Sequence, residues 1–191
     1  MCHRLQAAAA LAAFVAMASG AHAAAPADVP VPARLQAQLF AKILGFDRNL
    51  DSRAGRTVVI GVLHQRGYRP SLDAGDEIQA AIAALPAGEL TLRVVMLDAD
   101  AADLDALLDA QSLAVLYVTP LRALEVETVA AAARRRSIRT LTGVPAYVRR
   151  GLSIGLGLRD GRPEILVNLE AARAEGANYS SQLLTLVRVV R

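Results

Sequence analysis

The chain has 191 residues, about half of them hydrophobic, and a formal net charge of +3 from 21 basic against 18 acidic side chains. A charge so small and so evenly mixed excludes nucleic-acid binding by bulk electrostatics. The single cysteine, Cys2, and two of the three histidines, His3 and His22, fall within the first 23 residues. Beyond that point a disulfide framework, a cysteine nucleophile, a thiolate zinc site and a multi-histidine metal site are excluded.

Those first residues have the form of a secretory signal peptide: basic Arg4, an uncharged apolar run from Ala7 to Met17, and the small-residue exit Ala21-His22-Ala23. Cleavage is expected after Ala23, with the mature chain in the periplasm. The apolar run is shorter than the roughly 18 to 20 residues that a permanent membrane anchor needs. Cys2 precedes the run, whereas a lipoprotein carries its cysteine at the cleavage site. Residues 24–32, with three prolines, read as an extended leader, and 33–191 as a single domain.

A helix opens that domain, with Leu35, Leu39, Phe40, Ile43 and Phe46 on one apolar face. Strand-length apolar runs then alternate with helical stretches. Strands are expected over Thr57–Leu63, Leu90–Leu97, Leu113–Val118 and Ile138–Leu141, and helices over Ser71–Leu85, Ala101–Ala110 and Leu121–Arg136. Continuous apolar strands in β-α alternation call for a parallel sheet covered on both faces. After Gly143 the pattern changes to a hairpin, Leu152–Leu158 and Glu164–Val167, turning at Asp160-Gly161. Two helices are expected to close the chain, the last one using Leu183, Leu184, Val187 and Val190. The expected fold is an α/β three-layer sandwich: a mostly parallel central sheet flanked by helices, with a C-terminal β-hairpin and two closing helices. It resembles one lobe of a periplasmic binding protein.

In open α/β sheets ligands collect beyond the carboxyl ends of the strands, which selects the loops at His64–Arg69, Asp98–Asp100, Thr119-Pro120 and Thr142-Gly143. His64 is the one histidine past the signal peptide, and no serine and carboxylate motif surrounds it; contact with a ligand or partner, or plain loop packing, suits it better than catalysis. Arg66 and Arg69 suit an anion, and Tyr68 a stacked ring. Thr119 and Thr142 complete the tentative ligand- or partner-binding set. Neither phosphate-binding glycine motif follows the first strand. The run Asp98, Asp100, Asp103, Asp105, Asp109 lacks the glycine and glutamate of a calcium loop, and Asp100 or a residue near it more simply caps a helix. Arg134-Arg135-Arg136 complements a helix dipole. No catalytic residue, metal ligand or cofactor is expected, and the chain reads as no enzyme; a hydrolase or transferase would need a site of unfamiliar design.

The segment Val167-Asn168-Leu169-Glu170-Ala171-Ala172-Arg173, followed by Ser180-Ser181-Gln182-Leu183-Leu184, resembles the C-terminal signature of the YfiR family of periplasmic proteins, a strand running into Ile-Asn-Leu-x-Ala-Ala-Arg and then Ser-Ser-x-Leu-Leu. Phe40-Ala41-Lys42 keeps part of a family pattern in the first helix, without the tryptophan that follows it there. Thr142-Gly143, Tyr147 and Arg150-Gly151 stand where the family has Ser-Asp, an aromatic and Gly-Gly. Within the signature, Asn168, Glu170, Arg173 and Ser181 read as structural, Asn168 by capping a helix and Glu170 by pairing with Arg173. The resemblance implies a periplasmic regulator that binds the periplasmic sensor domain of an inner-membrane diguanylate cyclase and represses it, with cyclic di-GMP and biofilm as output. A homodimer and a small ligand stay open as further partners. The alternative is a periplasmic small-molecule-binding or sensory protein feeding a sensor kinase or transporter. Family members often carry disulfide-forming cysteines, which the chain after Ala23 does not.

Overall fold

A computed structural model describes residues 29–50, 57–88 and 90–190. The expected signal peptide, its expected cleavage after Ala23 and the first part of the expected leader lie outside the described residues.

The chain runs α1 (Ala33–Leu44), β1 (Thr57–His64), α2 (Arg69–Ala83), β2 (Thr91–Asp98), α3 (Leu104–Asp109), β3 (Val115–Val118), α4 (Val126–Arg135) and β4 (Arg139–Thr142). It continues with α5 (Ala146–Arg149), β5 (Ile154–Arg159), β6 (Arg162–Asn168), α6 (Leu169–Ala174), α7 (Ser181–Leu184) and β7 (Arg188–Val190). The strands form one sheet in the order β2-β1-β3-β4-β5-β6-β7. From β2 to β5 every pairing is parallel. β6 returns antiparallel to β5, and β7 lies parallel to β6. This is the expected three-layer α/β sandwich.

Two apolar layers cover the sheet because the strand side chains alternate. Val58, Ile60 and Val62 of β1 pack with Phe40, Ile43 and Ile78 from α1 and α2. Leu63, Leu116 and Val118 pack on the opposite face with Leu108, Val129 and Tyr147 from α3, α4 and α5. On that face Gly61 is required: a Cβ there would come within 2.7 Å of Leu97 Cδ1.

One local expectation changes, and three readings gain detail. The last helix stops at Leu184; Val187 lies in the link that follows, and Val190 belongs to β7, Arg188–Val190, which pairs with β6. The spacing of those valines fits a helix, but three β-branched residues in four, beside an open strand edge, favour extension. The cap expected at or near Asp100 is Asp103, which accepts from the amides of Asp105 and Ala106. The arginines ending α4 have partners beyond the dipole: Arg135 and Arg136 reach Asp105, and Arg136 also reaches Asp109, joining α4 to α3. Ser180 caps α7, accepting from the Leu183 amide.

Candidate functional site

The sheet order reverses between β1 and β3, so the crevice past His64 and Val118 is where a doubly wound fold would hold a ligand. Here the protein fills it with its own side chains. Gln65, buried directly after β1, spans the opening: its amide nitrogen donates to Asp100 Oδ1 at 3.2 Å and its carbonyl oxygen accepts from the Arg122 amide at 2.8 Å. Thr119 gives its proton to the Leu63 carbonyl at 2.9 Å. The 2.6 Å contact between Ser71 Oγ and Thr119 Oγ1 is therefore a bond that Ser71 donates, while Ser71 accepts from the Gln65 amide at 2.9 Å. Gly75 of α2 packs over His64 and Thr119, a Cβ there meeting His64 Cβ at 3.4 Å.

One strand further, Thr142 donates to the Val118 carbonyl and accepts from the Val144 amide. Space beside Gly143 is taken by Gln36 of α1, whose amide donates to the Val31 carbonyl at 2.7 Å and whose oxygen accepts from the Tyr117 hydroxyl at 2.8 Å. Burial pushes the Tyr117 phenol far above its ordinary value, partly offset by its hydrogen bonds with the Gly143 backbone and the Gln36 side chain. His64, Thr119 and Thr142 are thus buried, and both threonines are spent on internal bonds. Gln65, Ser71 and Gln36, which complete these networks, carry no signal that separates them from surface residues in the sequence.

Arg66, Tyr68 and Arg69 remain at the surface. Arg66 pairs with Asp98 at 3.0 Å and Arg69 with Asp73 at 2.8 Å. The Arg122 guanidinium sits 5.5 Å from the centre of the Tyr68 ring, a cation–π geometry. The six tentative binding residues therefore divide into three buried at the strand ends and three on the adjoining outer face.

The signature residues do local work. Asn168 accepts from the Ala171 amide at 3.0 Å, capping α6, and donates to the Val148 carbonyl at 3.2 Å. Glu170 and Arg173 are exposed on α6, and their expected pairing is not among the ion pairs of the described residues. Ser181 is exposed in the first turn of α7.

A concave surface lies elsewhere. An open groove of about 580 Å³ runs between α1, the hairpin and the link into β7, lined by apolar Leu39, Pro163, Ile165 and Leu186 together with charged Arg159, Arg162, Glu164 and Arg188. Glu164 pairs with Arg188 at 3.1 Å and Arg159 at 3.6 Å. The exposed large hydrophobic side chains among the described residues are Leu158, Leu186 and Val189, all from the hairpin and β7 region. No group of histidine, cysteine and carboxylate residues that could hold a metal ion occurs among the described residues, and no helix there is long and apolar enough to cross a membrane.

Fold and surface together define an α/β module whose strand-end crevice is filled by its own hydrogen bonds and whose C-terminal strands carry exposed apolar side chains beside arginines. The chain belongs to the YfiR/HmsC-like family, whose model matches residues 33–188. Among curated proteins no sequence matches it. Among solved structures it is similar to a conserved domain protein from Vibrio cholerae O1 biovar El Tor N16961, with a TM-score of 0.58 and 16% identity. It is also similar to the ABC domain in complex with L-Trp from Streptococcus pneumoniae, with a TM-score of 0.59 and 13% identity. Each match covers 84% of this chain, which spans 60% of the length of either relative. At those identities the likeness concerns the fold.

Proposed function

We propose that the protein is exported through a signal peptide cleaved after Ala23 and acts in the periplasm by docking on the sensor domain of an inner-membrane diguanylate cyclase. Docking holds the cyclase down, and an envelope signal releases it, so cyclic di-GMP and biofilm formation follow the bound fraction. Family membership supports this reading. The observation that carries it is the contrast between the strand-end crevice, filled by its own hydrogen bonds, and the flank where Leu158, Leu186 and Val189 are 47%, 65% and 45% exposed. Large apolar side chains left exposed on neighbouring strands and their link mark association surfaces more often than reaction centres.

Deleting the gene in its native host tests the proposal. Cyclic di-GMP should rise several-fold, wild-type protein should restore it, and the double variant Leu186→Asp, Val189→Asp should fail to restore it although the protein accumulates. An unchanged cyclic di-GMP level in the deletion strain would overturn the reading.

The groove favours a second reading, a small-molecule-binding sensory protein feeding a sensor kinase or transporter, since its volume falls in the range of ligand sites. Its place would be the hairpin groove and not the His64–Arg69 loop, where Arg66 and Arg69 are already paired. Tight stoichiometric binding of a periplasmic metabolite without any protein partner would favour that role.

A further inference from the structure

β4 and β5 pair at only two positions, Leu141 with Ile154 and Thr142 with Gly155. One residue earlier the strands part, and side chains bridge the gap. Ser153 donates its amide to Thr140 Oγ1 at 2.7 Å and its hydroxyl to the Thr140 carbonyl at 2.7 Å. Glu175, at the end of α6 and fully buried, inserts its carboxyl group beside them. It accepts from Thr140 Oγ1 at 2.6 Å and from the Thr140 amide at 2.9 Å. This carboxyl group thus occupies the place of an absent strand partner.

The arrangement accepts either protonation state by one rotation. With Glu175 ionised, the Thr140 hydroxyl points to it. With Glu175 protonated, its O–H can point to Thr140 Oγ1 while the Thr140 hydroxyl turns to Ser153 Oγ, 3.2 Å away. The neutral form keeps every bond and buries no charge; the ionised form keeps the bonds but holds a charge in the interior. Among the neighbouring groups, Arg134 of α4 favours the ionised form, but one of its guanidinium nitrogens is committed to the Gly151 carbonyl at 2.8 Å. Asp47 and Arg139 form a buried pair at 2.9 Å that neutralises itself. Tyr179 brings a buried hydroxyl with no hydrogen-bond partner. Desolvation, partly offset by the Ser153 and Thr140 hydrogen bonds, pushes the Glu175 carboxyl up to about 7.

Glu175 also begins a segment with little structure of its own. Directly after it the Gly176 carbonyl accepts from Arg139 and Asn49, the Asn178 amide donates to Asp47, and the Ser180 amide donates to the Phe46 carbonyl. Beyond lie only the four-residue α7 and the three-residue β7. Short elements held by a few contacts open locally before the rest of a fold.

We propose that Glu175, Thr140 and Ser153 form a proton-linked latch: neutral Glu175 seats the end of α6 on the sheet, and its ionisation loosens the chain from α6 to β7. The latch is independent of what the protein binds.

Amide hydrogen exchange on the mature protein reads it directly. Protection of residues 175–190, corrected for the intrinsic pH dependence of exchange, should fall at least tenfold between pH 6 and pH 8, while β1 and β3 stay protected. In Glu175→Gln that pH dependence should vanish. Equal corrected protection at the two pH values in the wild type would overturn the latch, as would a pH dependence that survives in Glu175→Gln. Should the variant not fold, the carboxyl carbon signal of Glu175 in the wild type decides: a titration midpoint of about 6 or above supports the latch, and any lower midpoint rejects it.

Discussion

A methyl group on Gly143 would lie 2.7 Å from Gln36 Oε1 and 2.9 Å from the Tyr117 hydroxyl oxygen. Both neighbours are buried and hydrogen-bonded to each other, so neither can give way without breaking a bond. Gly143→Ala should therefore destabilise the protein by about 1–3 kcal/mol, the usual cost of overpacking, read as a lower urea midpoint. Gly88→Ala, with nothing within 4 Å of the added methyl, is the control and should change little. Thr142-Gly143 was legible from the sequence as a strand-end loop but not as a closed one. The residue that closes it, Gln36, lies 81 positions before Tyr117, and a glutamine in an amphipathic helix ordinarily faces water. Glu175 shows the same blindness with a faint signal: it stands four residues after Ala171, on the stripe that α6 buries, yet a glutamate there reads as solvent-facing unless its threonine and serine partners are known.

At the scale of elements, the hairpin was the most legible feature because its turn chemistry is local. Asp160 and Gly161 have φ of 51° and 74°, the pair of positive values that a two-residue type I′ turn demands and that Asp-Gly supplies. Gly161→Ala has open space around its methyl but must hold an alanine in the left-handed region, so it should cost about 1 kcal/mol. Asp160→Asn, which tolerates that conformation, should cost almost nothing. Equal urea midpoints for Gly161→Ala and the wild type would mean that the turn is not held as described. The β-α alternation was legible for the same reason, since each strand carries its own apolar run. What failed was the end of the chain. Leu183, Leu184, Val187 and Val190 fit a helical stripe, and only the free edge of β6 decides that the last residues extend alongside it. Periodicity is a property of the segment, whereas edge availability is a property of the sheet.

For the whole molecule, two sets of carboxylates pull stability in opposite directions with pH. Asp105 and Asp109 are held below their ordinary values, chiefly by the Arg136 guanidinium, and Glu127 by Arg150. Groups lowered in this way favour the folded state above their unfolded values, and their contribution is lost as pH falls through the lowered ones. Glu175 works the other way. Burial raises it from 4.5 to about 7, so the folded state binds its proton more tightly than the unfolded chain does. Its contribution is complete below 4.5 and is lost as pH rises through about 7. The full difference is on the order of 3 kcal/mol at about 1.4 kcal/mol per pH unit. The exposed pairs are screened by solvent and weigh little individually, so the buried group should dominate above pH 5. Stability should therefore peak near about pH 4 to 5 and decline toward pH 8, the reverse of what a protein stabilised mainly by paired surface carboxylates would do. Urea midpoints at pH 5.5 and 8 measure the decline, and Glu175→Gln should flatten it. A wild-type midpoint that rises over that interval would mean that Glu175 is ionised at little cost, and that its bonds from Thr140 compensate the charge fully.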